Sequence, residues 1–215
     1  MSNPQATAAT VSRVRVFVDY WNFQLSLNDR EAQLRGLDDY RFKVNWKGLG
    51  PWLAQKACTV AGVANHSFDG VIIYTSYDPA QEGGAFRHWV TTWLDRQPGV
   101  NVQARERRPR AHLKCPACHQ RMTDCPHCKK PIKSTVEKGV DTLIATDMIR
   151  LAWEDAYDLG VLATSDSDLV PAVEFLNLKG LRIIQAGFPP VGVDLATACW
   201  GSFDVFPDRA EIARP

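Results

Sequence analysis

Short β-branched runs alternate along the chain with longer segments whose apolar residues recur at helical spacing. Arg13 to Asp19 reads Arg-Val-Arg-Val-Phe-Val-Asp, a strand that ends on a carboxylate, and helix-permissive sequence follows from Phe23 to Leu34. Trp46 to Val60 carries Leu49, Trp52 and Leu53 as an amphipathic helix despite Gly50-Pro51 near its start. Asp69-Gly70 introduces a second strand from Val71 to Tyr77. Glu82 to Arg96 sets Phe86, Trp89, Val90, Trp93 and Leu94 on one helical face, and Pro98-Gly99 ends it before a third strand at Val100 to Ala104. The alternation resumes with a helix from Gly139 to Glu154, a strand from Leu159 to Ala163, a helix from Leu169 to Leu178 and a fifth strand from Leu181 to Ala186. Val193 to Cys199 reads as a short helix and Phe203 to Phe206 as a short edge strand. Parallel neighbours need crossover connections, so this order predicts an α/β fold: a mostly parallel five-stranded sheet covered by helices on both faces.

With 215 residues, 45% of them hydrophobic, the chain can bury one normal core. Residues 1–12 read as a loose tail without a secretory pattern, 13–207 as the domain, and 208–215 as a second tail. No run approaches the ~20 apolar residues of a membrane span. The net charge of +1 hides an uneven distribution. Between Arg105 and Lys138 ten Lys/Arg face three acids, a local excess of seven, so the remainder carries −6. An acidic body with a basic lobe suits an enzyme that binds metal with carboxylates and phosphate with cations.

In an open parallel sheet, ligands bind beyond the carboxyl ends of the strands. Asp19 ends the first strand, Asp166 and Asp168 follow the fourth in Thr164-Ser165-Asp166-Ser167-Asp168, and Asp141 opens the helix after the basic segment. Carboxylates gathered at one rim need a cation, and hard oxygen ligands suit Mg²⁺ or Mn²⁺, which implies phosphate chemistry. Each aspartate also has an ordinary structural reading: Asp19 as a turn or cap, Asp168 as the cap of the helix from Leu169, Asp141 as a complement to a helix dipole. Their joint occurrence favours the site. Asn22 is a candidate metal or phosphate contact, Lys138 a substrate contact, and Ser165 a hydrogen-bond donor. Asp147 lies six residues after Asp141, on a different helical face, and is expected to act from behind the ligands.

At these residues the chain resembles the NYN domain family of PIN-like nucleases. Asp19-Tyr20-Trp21-Asn22 resembles its opening Asp-x-x-Asn element, Lys138-Gly139-Val140-Asp141 its central element, and Ser165-Asp166-Ser167-Asp168-Leu169 its third, with Thr164-Ser165 standing where Ser-Gly is usual. The resemblance implies a Rossmann-like, PIN-like sheet, RNA cleavage dependent on Mg²⁺ or Mn²⁺, and compatibility with a homodimer.

Within the basic segment, taken as an insertion spanning 105–138, Cys115-Pro-Ala-Cys118 and Cys125-Pro-His-Cys128 supply two chelating turns, the pattern of a structural zinc site. The segment is too short and polar to form its own core, so ligation would supply the folding energy. This cysteine usage places the protein in a reducing, cytoplasmic compartment. Arg105, Arg107, Arg108, Arg110, Lys129, Lys130 and Lys133 are the candidate RNA-binding cations. Cys58 and Cys199 read as buried apolar residues. The expectation is a metal-dependent endoribonuclease acting on single-stranded or flexible RNA, with Tyr20, Trp21 and Tyr77 as rim aromatics. The alternative is a module that binds RNA or protein through the insertion without cutting. A phosphomonoesterase is disfavoured, because an aspartyl nucleophile would want a second Asp two residues on, where Trp21 stands.

Overall fold

A computed structural model describes residues 11–79, 84–109, 113–115, 117–131, 135–136 and 138–215. Six strands form one sheet: β1 (Ser12–Asp19), β2 (His66–Tyr77), β3 (Val100–Glu106), β4 (Leu159–Ala163), β5 (Arg182–Gly187) and β6 (Gly201–Asp204). Their order is β6-β5-β4-β1-β2-β3, and every pairing is parallel. The chain therefore builds outward from β1 in one direction, then returns and builds outward from β4 in the other. The reversal between β1 and β4 opens a crevice at their carboxyl ends, where neighbouring crossovers diverge.

The helices are α1 (Tyr20–Arg35), α2 (Trp46–Ala61), α3 (Ala85–His88), α4 (Val140–Trp153), α5 (Val170–Leu178) and α6 (Val193–Ala198). Alternation along β1 divides the core. Val14, Val16 and Val18 join Phe23, Leu27 and Leu53 on the α1–α2 face. Phe17 joins Tyr74, Ile144, Met148, Val173 and Leu176 on the α4–α5 face. Asp19 shares the parity of Phe17, so the register that packs the core also points the terminal carboxylate toward the α4 side.

The sheet has six strands rather than five, because the expected short edge strand, shifted to Gly201–Asp204, pairs with β5 along its length. The second strand begins earlier than expected: Asp69-Gly70 lies at a register shift in the β1–β2 pairing, and Gly70 takes φ +115° there. Such a bulge admits one extra residue without ending the strand. The expected helix from Glu82 to Arg96 is α3 running into a π-helical turn at Trp89–Leu94; Glu82 and Gly83 lie outside the described residues. Residues 208–215 are not a loose tail. Ile212 is buried, Ala213 bridges to Val44, and Arg209 reaches Glu31 on α1.

Glu31, 2% exposed, sits between Arg35 and Arg209. Burial opposes its ionisation, but the two guanidinium groups outweigh burial and hold the carboxyl below its ordinary value. A carboxyl depressed in this way stabilises the fold fully above its unfolded pKa, and the contribution is lost as pH falls through the folded one. We expect Glu31→Gln to cost about 1–3 kcal/mol at neutral pH in denaturant unfolding, below the full loss of a wholly buried pair because both arginines reach solvent. Stability of the variant should then fall less steeply than wild type as pH drops below 4.5. Parallel pH profiles would refute this role for Glu31.

Candidate metal centre and nucleic-acid interface

The loop after β4 is fixed almost entirely by side chains. Gln185, buried on β5, donates to the Thr164 carbonyl at 3.0 Å and to the Gly192 carbonyl at 3.3 Å. The Thr164 hydroxyl accepts from the Asp166 amide at 3.3 Å, and Asn22 Oδ1 accepts from the Ser165 amide at 2.8 Å. Asp166 Oδ1 accepts from the Asp168 amide at 2.9 Å, which caps the 3₁₀ turn Ser167–Leu169. Gly192 permits the close packing, since its φ is +77° and a Cβ there would meet Ser165 Cβ at 2.7 Å.

On this scaffold, carboxylate oxygens of Asp141, Asp166 and Asp168 come within 4.8 Å of one another. Asp141 arrives from the first turn of α4, which the left-handed Gly139 (φ +82°) starts without a side-chain cap. Asp19, at the end of the adjoining β1, stands outside this group of three and caps α1 by accepting from the Asn22 amide at 3.2 Å. The Ser165 hydroxyl, in a residue 8% exposed beside Asp166, has no hydrogen-bond partner among the described residues. Three like charges held together and a buried unsatisfied oxygen next to them fit a hard divalent cation.

Several candidates take roles other than those expected. The cap of the turn after β4 is Asp166, not Asp168, because the 3₁₀ turn begins at Ser167, two residues before the expected helix, and leaves the Asp168 side chain exposed. Asn22 spends its carbonyl oxygen on Ser165 and so ties α1 to the β4 loop. Asp147, which is not a member of the carboxylate group, accepts from the Tyr74 hydroxyl at 3.1 Å and pairs with Arg150. Sequence reasoning overlooked Asp78, which is 3% exposed and follows β2 as Asp19 ends β1. Its position after a strand was the available signal.

Beside Asp141, a groove of ≈ 710 Å³ is lined by Arg105, Arg107, Arg108 and Lys138, with Glu106 the acid among them, and by the outer face of α4. Arg107 is half-buried, donates from Nε to Ser76 Oγ at 2.8 Å and lies 5.1 Å over the Trp21 ring. Lys129 and Lys130 sit exposed at the second cysteine turn; Arg110 and Lys133 lie outside the described residues.

The two cysteine turns share one geometry. His119 N donates to Cys115 O, and Lys129 N to Cys125 O, each at 2.9 Å, with φ of 58° at both His119 and Lys129. Amides of Cys118 and Ala117 point at Cys115 Sγ, and those of Cys128 and His127 at Cys125 Sγ, which holds both thiols below their ordinary value. Among the described residues no three of the four sulfurs fall within 4.8 Å, so a single four-thiolate site requires the two turns to draw together. Cys58 and Cys199 are buried, and burial pushes both thiols up, Cys199 to about 12.

The sequence profile of the NYN domain matches residues 13–203. The chain belongs to the NYN domain family. This is a family of PIN-like nucleases, and the α/β sheet agrees with it. No curated protein matches the chain. The crystal structure of a protein of unknown function from Vibrio parahaemolyticus RIMD 2210633 superimposes with a TM-score of 0.53 at 15% identity, covering 94% of this chain and 98% of that one. Likeness at that identity shows the fold alone. No helix among the described residues of this NYN domain is long and apolar enough to cross a membrane.

If Asn22 holds the loop after β4, its loss leaves the buried Ser165 amide unpaired, at a cost of about 1–3 kcal/mol. We expect that loss in Asn22→Ala by denaturant unfolding, with Asn22→Asp, which keeps an acceptor, closer to wild type. Equal stability of all three proteins would show that the bond does not hold the loop.

Proposed function

We propose that this NYN domain is a metal-dependent endoribonuclease. The observation that carries the reading is the set of carboxylates from Asp141, Asp166 and Asp168 gathered within 4.8 Å at the strand-order reversal of a PIN-like nuclease fold. Mg²⁺ or Mn²⁺ held by these three, with Asp19 at the adjoining strand end, would polarise a phosphoryl oxygen and acidify an attacking water. The chain's own residues do the rest. The Asn22–Ser165 and Gln185–Thr164 bonds keep the carboxylates in place before substrate arrives, so little reorganisation is required at reaction. Arg105, Arg108 and Lys138 receive the phosphate backbone in the basic groove, and Arg107, braced by Ser76, fixes the groove's floor. RNA is the substrate class that the family and this groove favour, and the cysteine usage supports a reducing, cytoplasmic setting.

The decisive assay is cleavage of a labelled, unstructured RNA with Mn²⁺ or Mg²⁺ by wild type and Asp166→Asn, alongside a chelator control. We expect metal-dependent cleavage by wild type and a fall of at least about a hundredfold in the variant, since several kcal/mol of charge stabilisation at roughly tenfold per 1.4 kcal/mol is removed. RNA binding without cleavage under either metal would reject the nuclease and leave a binding module.

The insertion is proposed to hold one structural Zn²⁺ through Cys115, Cys118, Cys125 and Cys128. The donor set is four soft thiolates, and the amides aimed at Cys115 and Cys125 stabilise the ionised sulfur that zinc requires. Elemental analysis of the purified chain should find about one zinc per chain, lost in Cys118→Ser. Metal-free protein with wild-type protease resistance in the insertion would refute the site.

A further inference from the structure

The mechanism above leaves unused a strip of aromatic rings that runs away from the carboxylates on the α1 side. Trp21, one residue before Asn22, has its indole N–H fixed by the Ser76 carbonyl at 2.6 Å. Its ring centroid lies 5.1 Å from that of Phe86, Phe86 lies 6.0 Å from Trp89, and Trp89 stacks on Trp93 at 6.0 Å and 18°. The last two rings stand on the π-helical turn after α3, a widened geometry found disproportionately at functional sites. A cavity of ≈ 360 Å³ opens between Trp21, Phe86, Trp89 and Arg41, and a second of ≈ 440 Å³ continues past Trp89 and Trp93 to Arg214. Both fall within the ~300–1,000 Å³ typical of small-molecule clefts.

The strip is open to solvent, with Trp93 46% exposed. Charge decides the class of occupant it suits. Among the described residues, the lining of these cavities and the one joining them includes Arg41, Lys43 and Arg214 and no acidic side chain. Aromatic faces interleaved with cations match a single strand of nucleic acid, whose bases stack on the rings while its phosphates meet the cations. We propose that this groove is a base-stacking platform for single-stranded RNA entering or leaving the carboxylate site. The proposal rests on the nuclease reading for its choice of RNA, and it adds that recognition is by base faces, so duplex RNA and strands lacking bases are poor ligands.

The test measures binding apart from cleavage. Full-length Asp166→Asn protein is titrated, by fluorescence anisotropy without added Mg²⁺ or Mn²⁺, against an unstructured RNA of about ten nucleotides and an equally charged strand of abasic residues. Stacking worth ~1–3 kcal/mol per base predicts that adding Trp93→Ala weakens binding of the ordinary strand by about 5-fold or more. Trp93→Phe should restore most of it, and the abasic strand should bind weakly with no dependence on residue 93. Equal affinity for the two strands, or an unchanged affinity in Trp93→Ala, overturns the platform. So does a concentration-dependent dimer that Trp93→Ala dissolves with RNA binding intact, which would assign the rings to a second copy. Base-dependent binding with no cleavage by wild type would fail the nuclease reading and leave the platform standing; cleavage with no dependence on Trp93 would fail the platform alone.

Discussion

Three carboxylates within 4.8 Å repel one another by about 1–3 kcal/mol per pair, depending on how far water screens them. The fold holds them there nonetheless. Each comes from an element fixed by burial elsewhere: Asp141 from a helix seated on the sheet by Ile144 and Met148, Asp166 and Asp168 from a loop whose strand is buried throughout. The loop itself has little freedom, because Asn22, Thr164, Asp166 and Gln185 each engage its backbone. Repulsion is thus sustained by packing outside the site, and a divalent cation is the natural means of relieving it.

How much of this could be read from sequence follows from which physics is local. The α/β alternation, Asp19 at the end of one strand and Asp166 in the loop after another were legible, because period and β-branching report burial directly. The crossover rule placed Asp19, Asp166 and Asp168 at strand ends, whereas the group within 4.8 Å is Asp166 and Asp168 with Asp141 from the start of a helix. Partnerships formed across the reversal were not legible. Nothing in Tyr20-Trp21-Asn22 says that the Asn22 carbonyl serves an amide of residue 165, and Asp166 rather than Asp168 became the cap because a 3₁₀ turn intervenes. Asp78 was missed although it directly follows the end of β2. The C-terminal segment read as polar tail because Glu31, its anchor, is far away in sequence.

The two candidate ligand sets are separated by chemistry as well as by position. Carboxylates select hard cations and thiolates soft ones, so the rim aspartates and the paired cysteine turns have little basis for competing over one ion. The connection between them is mechanical. The insertion leaves β3 through Arg105 to Arg108 and returns through Lys138 and Gly139 to Asp141, so whatever fixes its two ends also fixes the basic groove and the start of α4.

On the proposed reading, that arrangement would divide substrate recognition between the two sides of the carboxylates. Toward α4 the surface is cationic and can engage only what every strand offers, its phosphates. Toward α1 it presents ring faces with a few cations, which respond to whether bases are unpaired. Arg107 joins the sides, since it lines the basic groove and lies over Trp21 at the head of the ring strip. A strand held by phosphates alone could slide past the carboxylates in any register. Stacking on Trp21 or Trp89 would restrict that sliding and favour flexible single strands over duplex, a selectivity requiring no base-specific hydrogen bond.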